Sequence, residues 1–226
     1  MSTIPQTVRS FLLSQPTDIY LKCIQGQRDA LKDFNLKIIT SDIAADIFND
    51  IEISTNKEIT REELIGFRES LLTLKRPLPF LSDLYKLCYL YEKGGFVVDL
   101  DLFFFKNIPA ELRDNEITLI DYPNANHIMI TECLVGSIPK HPLLLKKLKL
   151  FLKSKPIEGY ISPSLNTLKI YDKVQSFSGD YVFNHMRFEP VSYELKEKQI
   201  AMHLWGEKKY DFQILNKLVS KFEQKD

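Results

Sequence analysis

Ser82 to Pro109 reads SDLYKLCYLYEKGGFVVDLDLFFFKNIP: a helix, a Gly-Gly turn and an apolar strand in immediate succession. Helical spacing joins Leu84, Leu87, Cys88 and Tyr91 into one apolar face, and Gly94 and Gly95 stand where a C-terminal cap belongs. Phe96, Val97 and Val98 follow without polar relief, as in a strand buried on both faces of a parallel or mixed sheet. Asp99 and Asp101 arrive at its C-terminal end, where open α/β sheets place their ligands. In a continuing strand the two carboxylates share one face, with Leu100 turned away. Leu102, Phe103, Phe104 and Phe105 come next, so uncompensated charges in this segment would be costly to desolvate. A hard, oxygen-seeking cation, Mn²⁺ or Mg²⁺, compensates such a pair and completes its shell with substrate phosphates.

Outward from this stretch, strand and helix signals alternate as in a mixed α/β sheet. Gln6–Leu12 is expected as a strand, Asp18–Phe34 as an amphipathic helix started by Thr17, and Leu36–Thr40 as a second strand. Ser41 or Asp42 caps a helix running toward Phe48, and Arg61–Leu74 is another, ended by Arg76-Pro77-Leu78-Pro79. After the aspartates come strands at Ile117–Asp121 and His127–Val135, separated by a turn at Pro123-Asn124. Pro142–Lys153 reads as a basic amphipathic helix with His141 at its start. Ser164–Val174 and Asp211–Phe222 read as helices, and Arg187–Tyr193 and Ile200–Leu204 as strands. The expected architecture is one α/β domain over residues 1–226, its central sheet mixed, mostly parallel and flanked by helices.

Composition narrows the function classes. The 226 residues, 44% of them hydrophobic, suffice for a sizeable core. Thirty basic residues balance thirty acidic ones, so no global field favours nucleic acid or an anionic membrane. Cys23, Cys88 and Cys133 are widely spaced among apolar residues and read as buried thiols of a reducing compartment. The N-terminal MSTIPQTVRS has no charged leader followed by an apolar core, and no apolar run reaches membrane-spanning length, so a cytoplasmic protein is expected.

The central segment resembles the DXD-containing sugar transferases, the GT-A-fold (Rossmann-related) family that includes the large clostridial glucosylating toxins and the yeast initiating mannosyltransferase. The shared pattern is Ser/Ala-Asp-x-x-Arg and then Leu-Tyr-x-x-Gly-Gly-x-Tyr-x-Asp-x-Asp. It is matched here by Ser82, Asp83 and Lys86, then Leu90, Tyr91, Gly94, Gly95, Val97, Asp99 and Asp101. Its spacing is unbroken over roughly twenty residues, which makes it far more specific than a lone short motif. Fainter parallels are Ile4-Pro5-Gln6, Tyr20–Leu31, Ile130–Cys133, His141-Pro142, Ser178-Gly179-Asp180 and His203-Leu204-Trp205. The chain departs from the pattern where Lys86 replaces Arg, losing a planar fork. It departs again where Val97 replaces Tyr, Glu132 replaces Asn and Asp180 replaces Pro.

The resemblance implies a hexosyltransferase that uses Mn²⁺ (or Mg²⁺) and a nucleotide-sugar, UDP-glucose before other UDP-sugars or GDP-mannose. Transfer would go to a glycan or other hydroxyl acceptor with retention of configuration. It implies Asp101 as direct metal ligand and Asp99 on the ribose or on the metal through water. His203 would complete the metal or diphosphate site, while Asp83 and Lys86 would lie on the donor sugar. Gly179 and Asp180 would line the donor. Trp205 would stack over it, and Lys208 or Lys209 would reach phosphate oxygens. Glu132, beside the sugar, could deprotonate the acceptor or stabilise an oxocarbenium ion. Plainer roles stay open: a backbone-bonded strand-end His203, a packing Trp205, a satisfied Glu132, and Asp83–Lys86 as a surface ion pair. Two other classes also fit the motif. One is a non-catalytic nucleotide-sugar binder; the other is a phosphatase of haloacid-dehalogenase type with Asp99 as nucleophile.

Overall fold

Two sheets organise the chain, and the paired aspartates lie at the joint between them. The computed structural model describes residues 3–40, 44–124, 127–154, 176–177, 182–184 and 197–204. In order these form β1 (Thr7–Leu12), α1 (Asp18–Ala30), β2 (Asn35–Thr40), α2 (Ala44–Ser54), α3 (Arg61–Leu72), α4 (Leu78–Lys93), β3 (Gly95–Val98), β4 (Leu102–Phe104), α5 (Ala110–Arg113), β5 (Ile117–Asn124), β6 (His127–Ser137), α6 (Pro142–Lys153), β7 (Ser176–Phe177), β8 (Val182–Asn184) and β9 (Ala201–His203). The larger sheet has the order β2-β1-β3-β6-β5-β7 and the smaller one β4-β9-β8. In the larger sheet β1 pairs parallel with β2 and β3, and β5 with β7, while β6 runs antiparallel to β3 and β5. The sheet is therefore mixed and mostly parallel, as its sequence pattern predicts.

Alternation along the strands splits the core between its two faces. Phe11, Ile39, Val97, Leu119 and Val135 pack under α2, α3, α4 and α6. Val8, Phe96, Val98, Ile120 and Leu134 face the other way, toward the C-terminal end of α1, α5 and the small sheet. A third cluster joins Ile19 and Cys23 of α1 to Phe103 and Met202 of the small sheet. There α1 comes so close that a Cβ on Gly26 would lie 2.5 Å from the Phe103 ring.

Several boundaries differ from the sequence-based expectation. β3 ends at Val98 instead of running through the aspartates, because Leu102 N–H donates to Asp99 C=O at 3.1 Å and closes a turn. α1 stops at Ala30, where Phe34 N–H bonds Leu31 C=O and Asn35 N–H already reaches Gln6 C=O to begin β2. Pro123 and Asn124, expected as a turn, instead pair with Ile128 and His127 as the end of β5. The short α5 after Pro109 carries no periodic signal long enough to read. The expected elements at 164–174, 187–193 and 211–222 also lie outside the described residues.

Candidate functional site

The route to the site begins at the end of α4. Gly94 caps this helix, its N–H donating to Leu90 C=O at 3.0 Å, with φ at 61°. Gly95 follows at φ 90°, and a Cβ there would meet Thr7 C=O at 2.7 Å, so the turn needs glycine for its backbone angle and for its close approach to β1. Arg9 of β1 is buried and donates from Nη1 to Gly94 C=O at 2.7 Å. The turn thus aims β3 at the site, and every residue of that strand is buried.

At the far end Asp99 stays on the large sheet through its N–H to Cys133 C=O, 2.9 Å, and the chain then turns into the small sheet. The β4–β9 register sets Leu102 opposite His203, and Leu204 N–H donates to Asp101 C=O at 3.0 Å. His203 Nε2 consequently lies 3.2 Å from Asp101 Oδ1 and 3.3 Å from Asp99 Oδ2. One ligand atom from each of the three residues lies within 4.8 Å of the others. Beneath the turn, fully buried Gln27 of α1 donates from Nε2 to Leu102 C=O at 3.0 Å and Asp99 C=O at 3.3 Å. Its Oε1 accepts from Ser10 Oγ at 2.9 Å.

Lys86 of α4 reaches the same turn from the other face of the sheet. Its ammonium donates to Asp99 Oδ1, and also to Asp83 Oδ1 at 3.3 Å. The i,i+3 ion pair with Asp83 expected on the plainer reading is thus present, with the lysine buried and Asp83 partly exposed. Burial pushes the Asp99 carboxyl up, but the charge of Lys86 and the hydrogen bond and charge of His203 outweigh that and hold it below the usual carboxylate range. For His203 burial favours the neutral ring, yet hydrogen bonds and charges from Asp101 and Asp99 raise its pKa to about 9. A protonated imidazole would here supply positive charge between the two carboxylates in place of a cation.

This donor set suits a divalent ion. Two carboxylate oxygens and one imidazole nitrogen, converging from a turn and a neighbouring strand, match the preferences of Mn²⁺ and related ions. Asp99 could offer Oδ2 while Lys86 keeps Oδ1, an outer contact of the kind that fixes a ligand's orientation.

The structure brings together Asp83, Lys86, Asp99, Asp101 and His203, five of the residues singled out in the sequence. Glu132 belongs to β6, but its side chain lies outside what is described, and Gly179, Asp180, Trp205 and Lys208 lie outside the described residues altogether. His141 is the N-cap of α6, its Nδ1 accepting from Leu143 N–H at 3.2 Å, as its place before Pro142 suggests. All three cysteines are buried, and burial pushes the Cys23 and Cys88 thiols up. No helix among the described residues is long and apolar enough to cross a membrane. Sequence reasoning missed Gln27, although it continues the Ile19–Cys23 stripe at the same four-residue step, and an amide on an apolar stripe is a legible signal.

No family model and no curated protein sequence matches the chain. Solved structures do. PaToxG glycosyltransferase superposes with a TM-score of 0.57 at 15% identity, over 98% of this chain and 76% of that one. The apo-form glycosyltransferase GlyE of Streptococcus pneumoniae TIGR4 superposes at 0.51 with 13% identity, over 96% of this chain and 64% of that one. At such identities the likeness is one of fold. With its mixed sheet and its Asp-Asp-His cluster at the end of β3, the chain has the GT-A type of glycosyltransferase fold.

Proposed function

We propose that this protein is a metal-dependent glycosyltransferase, one domain over residues 1–226, that moves a hexose from a nucleotide-sugar, with UDP-glucose favoured, to a hydroxyl of a glycan or other acceptor. The observation that carries the proposal is the meeting of Asp99, Asp101 and His203 where β3 gives way to β4, in a glycosyltransferase fold. Cleaving a sugar–diphosphate bond builds negative charge on the leaving oxygen and positive charge on the sugar. A bound Mn²⁺ or Mg²⁺ would act there as a Lewis acid on the diphosphate. Asp101 and His203 would hold that ion, and Asp99 would hold it or the ribose.

Lys86 keeps a fixed cation beside the carboxylates, poised for the diphosphate or the sugar, and needs no reorganisation as charge develops. Asp83, one helical turn away, would accept from sugar hydroxyls. Glu132 would serve as base toward the acceptor or stabilise positive charge on the sugar. Gly179 and Asp180 would line the donor, Trp205 would stack on it, and Lys208 would pair with its phosphates. Retention of configuration and a cytoplasmic setting complete the proposal, the first resting on the family resemblance and the second on the sequence reading alone.

The test is UDP release from UDP-glucose with Mn²⁺, compared between the wild type and Asp101→Ala. Loss of release in the variant is the expected result. Metal-dependent UDP-glucose binding without any release would mark a binder instead. Phosphate release from an aryl phosphate would point to a phosphatase.

A further inference from the structure

Beside the candidate metal centre β6 loses one neighbouring strand and keeps the other. At Val135 it is paired on both sides, with Val97 of β3 and Leu119 of β5. β3 ends at Val98, and its chain keeps one last bond to β6, from Asp99 N–H to Cys133 C=O. β5 continues with a slipped register: Ile120 pairs with Thr131, which leaves Glu132, Cys133 and Leu134 as a bulge on β6. Bulges bend a strand, and they gather at sheet edges and next to active sites. Five β5–β6 pairs, from Ile120 with Thr131 to Asn124 with His127, carry the ribbon onward for about 14 Å. Over that length no strand among the described residues pairs with β6 on the side that β3 vacates.

An open strand edge presents unpaired N–H and C=O groups, and edges are commonly guarded against chance pairing by lysine, other charges or proline. β2, at the border of the large sheet, has such a guard in exposed Lys37. His127-Ile-Met-Ile-Thr131 has none: it contains no Lys, Arg, Asp, Glu or Pro, and its β-branched residues favour pairing. A ribbon of two strands is also marginal by itself and gains from a third. The open edge begins at Glu132, one residue from the carbonyl that holds Asp99, so a strand laid along it ends at the metal turn. We infer that this edge binds the acceptor, and that the acceptor is a polypeptide segment added to β6 as an extended strand. Only such a segment offers alternating N–H and C=O groups at the repeat of a strand edge. The inference rests on the transferase reading above and adds to it the acceptor's chemical class and bound conformation. A Ser or Thr hydroxyl of the segment bonds the anomeric carbon as the bond from that carbon to the diphosphate oxygen breaks. UDP leaves with the bonding pair, and the hydroxyl proton passes to the base, for which Glu132 is proposed above.

The experiment uses the full chain with Mn²⁺, UDP-glucose and a pool of heptapeptides that carry Ser or Thr at the centre among Val, Ile and Tyr. The pool should raise UDP release above the acceptor-free rate, and at least one peptide should gain the mass of a hexose. That peptide is then methylated at one backbone nitrogen at a time. The loss of kcat/KM should alternate, roughly fivefold or more at every second position and little between, because a strand turns alternate N–H groups toward one neighbour. Met129→Lys, which puts a guard on the edge, should lower peptide transfer by a similar factor and leave the acceptor-free rate unchanged. If that variant fails to fold, the methylation pattern decides. Transfer to a maltooligosaccharide but to no peptide, or methylation losses without alternation, overturns strand addition while sparing the transferase reading. So does a sedimenting dimer that Met129→Lys dissociates, since a second copy then occupies the edge. Absence of any metal-dependent UDP release, with or without peptide, overturns both.

Discussion

Replacing Gln27 by leucine tests whether the turn that presents Asp99 and Asp101 is held from below. Gln27 is fully buried and makes three hydrogen bonds: one accepted from Ser10 and two donated to Leu102 and Asp99 carbonyls. Leucine fills most of the same volume but satisfies none of them. At roughly 1 kcal/mol net per bond, the loss is about 3 kcal/mol. For a chain of this size that lowers Tm by roughly 6–12 °C. Because the lost donors act on the backbone of a candidate ligand, Mn²⁺ affinity should also weaken by roughly tenfold or more, as when an outer-sphere partner of a metal site is removed. Scanning calorimetry reads the first quantity and isothermal titration with Mn²⁺ the second. Ser10→Ala, which removes one of the three bonds, should show about a third of the Tm change with little effect on metal affinity. A Gln27→Leu protein with wild-type Mn²⁺ affinity would refute the idea that α1 positions the aspartates.

Lys86→Met leaves Asp99 without its ammonium partner, so the metal-free protein should lose roughly 3 kcal/mol, the scale for breaking a buried pair. Mn²⁺ should then raise Tm by more than it does in the wild type, because the ion replaces a missing charge; an equal rise counts against the assignment. His203, raised to about 9 in the folded chain, stabilises it through its protonated form. In chelator-treated protein that contribution, on the order of 3 kcal/mol, is complete below about pH 6.5 and is lost as pH climbs through about 9. Thermal melts across this range should therefore fall for the wild type and stay flatter for His203→Gln. Gly95→Ala combines a φ of 90° with a Cβ 2.7 Å from the Thr7 carbonyl, so it should lower stability by about 2 kcal/mol or more in urea unfolding. A neutral result would mean that the turn relaxes freely.

Much of the fold was legible from local pattern. The helix, cap and strand from Ser82 to Val98 follow from 3.6-residue periodicity, a Gly-Gly pair and an unbroken apolar run, all short-range properties, whereas the first turn of α4 at Leu78 fell in a stretch expected as the end of the preceding helix. α6 matches its expected bounds of Pro142–Lys153 because a His-Pro start and an apolar stripe suffice to define it. Within that basic helix the burial of Lys147 becomes evident only in the folded chain.

The sequence by itself determined that two carboxylates follow a buried strand and that a compensating charge had to be near them. Desolvation cost depends on local composition, and composition is visible in the chain. The tertiary structure decided which groups supply that charge. His203, 102 residues beyond Asp101, arrives through the β4–β9 register and Lys86 through the packing of α4, while the neutral amide of Gln27 reaches the carbonyls of the turn through the close approach of α1 at Gly26. The turn at Asp99, too, became evident only there, because the strand's continuation depended on whether β4 found its partner in the large sheet or in the small one. Such pairings join segments far apart in sequence, and their free energy comes from surfaces that meet only once the chain has folded.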